Sequence, residues 1–183
     1  AAVYTSLITV WLLVYQRLHA GASLAAAVTR LLECDPELLP ANKRVREGTL
    51  SSNTATFSQA RGRLQPEVTE RVAEHVFESL VAATAPTLDG RRVFLVDGTT
   101  IKLPPTADLK AAFPPATNQF GAGVWPIAQL LVAHEWESGC ALLPEIGPMY
   151  GPEATSELAQ TKSLVRRLPP RSVLVGDRAA IHL

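Results

Sequence analysis

Cysteine, histidine and net charge are all scarce in this sequence, and each shortage removes a class of protein. There are two cysteines and four histidines among 183 residues. Cys34 and Cys140 are far apart and follow no metal-ligand spacing, so neither a disulfide scaffold nor a zinc ribbon fits. Two reduced, largely buried thiols are expected instead. His134-Glu135 opens like a zinc-protease motif, but Ser138 stands where the second histidine is required, and the segment reads as a strand rather than a helix. Formal net charge is zero; any surface for nucleic acid must therefore be local rather than global. The most apolar run, Leu7 to Tyr15, falls far short of the roughly 20 residues that cross a bilayer. It has no basic leader and no clear small-residue cleavage pattern, which points to a cytoplasmic protein without membrane attachment. Gly121-Ala122-Gly123 precedes a strand and opens no helix, so it is no dinucleotide fingerprint.

What is present is ordinary globular composition, 47% hydrophobic and 19% charged, enough for one domain or two small ones. The first part reads as helices. Val3 to Leu18 is apolar nearly all round, which predicts burial on several sides. Ser23 suits the cap of a second helix whose stripe is Leu24, Ala27, Val28, Leu31 and Leu32, and Asp35-Pro36 ends it. Pro40 to Leu50 reads as a loop. A third helix runs from Ser51 or Ser52 toward Leu64. Pro66 opens a fourth, with Val68, Val72, Val76, Phe77, Leu80 and Val81 on one face and acids on the other.

At Pro86 the pattern changes, giving expected domains at 1–86 and 87–183. Asp89-Gly90 is a turn, followed by the β run Arg92 to Asp97. A proline-rich insertion with a short helix at Ala107 to Ala112 comes next. Two further β runs follow, Ile127 to His134 and Cys140 to Ile146, then a helix from Gly151-Pro152 to Leu168 and a last β run, Ser172 to Asp177. A right-handed helical crossover would lay that last strand beside the first and parallel to it. Asp97 and Asp177 would then meet at one sheet edge, where sites in open α/β sheets form. Two readings stay open on pattern alone. The acids are ordinary turn or cap residues, or they share a divalent cation. Oxygen ligands without His or Cys favour Mg2+ or Mn2+.

Val96-Asp97-Gly98-Thr99-Thr100 with Lys102-Leu103-Pro104 resembles the first-aspartate segment of the insertion-sequence-four group of DDE transposases. Trp125-Pro126 to Val132, Glu145-Ile146-Gly147 and Tyr150-Gly151 are similar to that family's middle strands and the lead into its helix. Leu174-Val175-Gly176-Asp177-Arg178 resembles its second-aspartate strand, and Ser58-Gln59-Ala60-Arg61-Gly62-Arg63-Leu64 its Gln-Ala-Arg helix. The resemblance spans nearly the whole chain. It implies an α+β protein: an N-terminal helical bundle, a candidate for DNA binding, followed by a partial ribonuclease-H-like mixed sheet of α/β type. It also implies metal-dependent cleavage and strand transfer on double-stranded DNA, with Asp97 and Asp177 as catalytic metal ligands and a homodimer on paired ends. The family's third acid is a Glu in a Tyr-Arg-Glu-Lys pattern on a later helix, and nothing like it is here. Glu153 and Glu157 precede the second aspartate and are poor substitutes. After Asp177 the family continues into an aromatic-glycine turn, where this chain has Arg178-Ala179-Ala180-Ile181-His182-Leu183.

Lys43, Arg44, Arg46, Arg61 and Arg63 are set against a single acid, Glu47. They form either a phosphate-contacting patch or a solvated face. Lys102 is a further candidate for phosphate, or a plain surface lysine, and His182 is read as incidental. The chain starts without Met and stops straight after a strand and turn, so it reads as an incomplete copy, inactive by itself and truncated before the third acid. The alternatives are a non-catalytic DNA-binding remnant and a ribonuclease-H-like nuclease. An open sheet after the second acid also predicts marginal stability or self-association.

Overall fold

A computed structural model describes residues 3–51 and 53–177. Among them the fold is mixed α+β, and it divides into two compact units, Ala1–Val72 and Ala73–Leu183. The division falls inside the fourth predicted helix rather than at Pro86. No described helix is long and apolar enough to cross a membrane.

The first unit is helical. α1 (Ser6–Leu18) is capped by Thr5, and α2 (Leu24–Cys34) by Ser23, whose hydroxyl accepts from the Ala26 N–H at 3.1 Å. A 3-10 turn at Pro36–Leu38 follows. The expected loop contains a short helix, α3 (Lys43–Arg46), started by the Asn42 side chain accepting from Val45 N–H at 3.0 Å. α4 (Ala55–Gly62) begins later than predicted. Ile8, Leu12, Ala27, Val28, Leu31 and Phe57 make the core, with Tyr4 tilted against Phe57. α1 is buried on one side only: Leu7, Val14 and Leu18 lie exposed, contrary to the all-round burial its composition suggests. Cys34 is also exposed and Cys140 half-buried, so both thiols are free but neither is deeply interior.

α5 (Pro66–Ala83) shows the same economy. Of its apolar face only Phe77 is buried, with Val81 partly so, while Val72, Val76 and Leu80 meet solvent. Phe77 belongs to the second unit's core, together with Phe94, Val96, Leu131, Ala133 and Leu164.

That core lies on one face of a four-stranded sheet of order β5-β4-β1-β6. β1 (Val93–Lys102) pairs antiparallel with β4 (Ile127–Glu135) along its whole length and parallel with β6 (Val173–Gly176) over its first part. β1 runs past Asp97, where the sequence suggested it would stop, because Thr99, Thr100 and Ile101 suit a pleated ladder and β4 supplies their partners. β5 (Glu145–Pro148) starts later than predicted. Cys140 to Leu142 still bond back to β4 through Glu135 N–H and Leu142 N–H, but Pro144 has no N–H with which to continue that ladder. Between β1 and β4 lie the expected α6 (Ala107–Ala112) and an unforeseen hairpin, β2 (Thr117–Asn118) with β3 (Gly121–Ala122).

α7 (Glu157–Val165) is the crossover. Its start is fixed by Ser156, whose hydroxyl accepts from Ala159 N–H at 3.2 Å, and not by Gly151-Pro152. Two glycines let the approach to this helix lie close on the sheet. A Cβ at Gly147 of β5 would meet the Thr155 side chain, and one at Gly98 of β1 would stand 2.5 Å from Glu157 Oε1. Gln160 is buried and donates to the Gln129 carbonyl of β4 at 3.3 Å.

Candidate functional site

Strand alternation sorts the charges of β1. Arg92, Phe94, Val96 and Gly98 share one face of the strand line; Val93, Leu95, Asp97 and Thr99 share the other. On the first face a charged pair is buried. Glu135, at the end of β4, is fully buried, and its Oε1 accepts from Arg92 Nη1 at 3.2 Å. Its Oε2 accepts from Ser138 N–H at 2.7 Å. Arg92 also donates to the carbonyls of Val81 and, at 2.7 Å, Thr84, and so caps the end of α5. Burial by itself would raise the Glu135 carboxyl, but the Ser138 and Arg92 donors outweigh it and hold the group below its usual range. Glu135 is thus an ion-pair anchor, and the failed zinc motif has a structural explanation.

Asp97 faces the other way and is exposed, opposite Val132 of β4. The last parallel pair between β1 and β6 is Val96 with Gly176. Asp97 and Asp177 each come one residue later, so they are successive to the same pair on neighbouring strands, whose spacing in a sheet is about 4.8 Å. Asp177 is exposed as well. The crossover expected from the sequence therefore brings these two acids together. Glu157 comes close along the chain path but sits over Gly98, on the face opposite Asp97, and Glu153 is exposed. Among the described residues no group of three or more His, Cys, Asp or Glu is arranged to hold a metal ion. Two exposed carboxylates are nonetheless the share that a protein commonly gives Mg2+ in phosphoryl-transfer sites, with water and phosphate oxygens completing the shell.

Lys102 is not part of this group. It closes β1, about 17 Å along the strand from Asp97 and on the other face. It lines a shallow groove with Leu103, Pro104, Pro105 and Trp125. His182 and the rest of 178–183 lie outside the described residues.

The predicted basic residues separate into groups. Lys43 and Arg44 of α3 and Arg63, which caps α4, line one groove of about 400 Å3 together with Val3, Tyr4, Asn42 and Thr56. Val45, packed against the first unit's core, fastens α3 beneath this surface. Burial pushes the Tyr4 hydroxyl above its ordinary pKa. Lys43 has one weak partner, Glu47, at 3.9 Å, and both are largely exposed; such a pair contributes little. Arg46 lies outside the groove, and Arg61 lines a different pocket. Sequence reasoning missed Tyr4, Asn42 and Thr56. An aromatic or small polar residue carries no charge signal, and only folding brings them beside the cations.

A scan of protein-family models, a search of curated proteins and a search of solved structures each return no match to this chain.

Proposed function

We propose that this chain is part of a DDE-class DNA transposase, with Asp97 and Asp177 as two of the acids that hold a divalent ion for phosphoryl transfer. The observation that carries the reading is the parallel pairing of β1 with β6, which leaves the two aspartates adjacent at the end of the ladder. The order β5-β4-β1-β6 also agrees with the opening expected of a ribonuclease-H-like sheet, in which a hairpin-linked triplet is followed by a helical crossover. Mg2+ or Mn2+ bound there would activate a water or 3′-hydroxyl and stabilise the leaving oxygen. The chain's own part is to hold two carboxylates side by side on a rigid strand pair. Lys43, Arg44 and Arg63 would contact the phosphates of double-stranded DNA in the helical unit, in line with their shared groove.

That no group of three or more His, Cys, Asp or Glu among the described residues is arranged to hold a metal ion favours a second reading, a DNA-binding remnant without catalysis. The two separate in one assay. The protein expressed from its complete gene is incubated with element-end duplex, target DNA and Mn2+. Strand joining that disappears in Asp97→Ala supports the transposase. Duplex binding without cleavage supports the remnant, hydrolysis without joining a ribonuclease-H-like nuclease, and undiminished joining in Asp97→Ala overturns the assigned role.

A further inference from the structure

We propose that Arg17 and Arg61 form a phosphate seat in the helical unit, separate from the Lys43 groove. Arg17 lies in the last turn of α1 and Arg61 in the last turn of α4, so sequence proximity does not pair them. The fold makes them line one pocket of about 380 Å3, along with Leu13, Gln16, Gly21 and Ala22. Among the described residues no carboxylate lines it. Arg30, Arg92 and Arg167, by contrast, are matched to Asp35, Glu135 and Glu145. No ion pair joins Arg17 or Arg61 to any described acid.

The remaining wall completes the chemistry. Gly21, at φ +80°, turns the chain between α1 and α2, and with Ala22 it leads to the Ser23 cap, beside the positive end of the α2 dipole. The Ala22 carbonyl is engaged by the Gln16 amide at 3.4 Å, which removes an acceptor that would oppose an anion. Two planar guanidinium forks without counter-charges match the oxygens of a phosphate. An orthophosphate ion and a backbone phosphodiester share that chemistry. Assigning the ligand to DNA rests on the reading above; the seat itself does not.

The test follows arginine Nε–Hε NMR signals of the full chain during titration with inorganic phosphate, and separately measures duplex affinity against salt. The expected result is saturable shifts at Arg17 and Arg61 with one common Kd, while exposed Arg71, outside the pocket, does not saturate. With duplex DNA, Arg17→Gln/Arg61→Gln should lower the slope of log K against log salt by about one unit, and Arg71→Gln should not change it. Phosphate shifts with an unchanged duplex slope support the seat and assign it to the free ion. Phosphate shifts in a chain that binds no duplex support the seat and remove the DNA reading. Duplex binding with an unchanged slope and no saturable phosphate shift overturns the seat and leaves the DNA reading standing. The phosphate titration needs no variant, so it decides the matter even if the double substitution perturbs folding.

Discussion

At the start of β1, Arg92 reaches across to Glu135 and to the end of α5, and both members of the pair also meet backbone partners. A few residues further along the same strand, Asp97 stands in solvent with Asp177 beside it at the end of the parallel ladder. One pair is buried and complementary; the other is exposed and of like sign. A buried pair holds a helix to a sheet. Two exposed carboxylates at successive positions on neighbouring strands are instead placed where a cation or substrate can reach them.

Breaking the buried pair should have the largest effect. Glu135→Ala leaves the Arg92 guanidinium without its carboxylate and should cost about 3–5 kcal/mol in a urea titration; a loss under about 1 kcal/mol would mean that the pair is not an anchor. The same group sets an acid limit. Its folded pKa lies below the unfolded value, so its contribution is complete above the ordinary glutamate pKa of about 4.3 and is lost as pH falls through the folded value. The Tm gap between wild type and Glu135→Gln should therefore narrow from pH 6 to pH 3, and a constant gap would contradict the ion pair.

The two glycine seats under the approach to α7 should differ next. Gly147→Ala meets Thr155 Cβ and Cγ2 at 3.1 and 3.2 Å, atoms of a stiff side chain, whereas Gly98→Ala meets the far end of flexible Glu157. Overpacking of about 1–3 kcal/mol is expected for the first and less than about 1 kcal/mol for the second, and the reverse order in thermal melts would reject this packing. Asp97→Asn should change stability least, within about 0.5 kcal/mol. A large loss would place Asp97 with the structural charges.

The acid pair was legible in the sequence because it depends on topology, and topology followed from strand order, helix placement and the handedness of the crossover. The length of β1 was not, since its second part is stabilised by partners on β4 that local pattern does not reveal. The hairpin within the insertion rests on a short ladder and an Asn118 side chain that accepts from Phe120 N–H, too brief for periodicity to detect. Arg92 and Glu135 were hidden for another reason: at the ends of two apolar strands they resemble solvated flanks, and only the pairing shows them facing each other. The basic groove was half visible, its cations by composition and its polar wall only by folding. The apolar face of α5 overstated burial, because amphipathic spacing shows which side of a helix is apolar and not how much of it is covered.

The measurement that tests the central claim most directly is Mn2+ titration of the chain followed by electron paramagnetic resonance, in wild type, Asp97→Asn and Asp177→Asn. One bound Mn2+ that is lost or greatly weakened in both variants, with the fold retained, is the predicted result. Equal Mn2+ uptake in all three proteins would contradict the account and return both aspartates to ordinary surface residues.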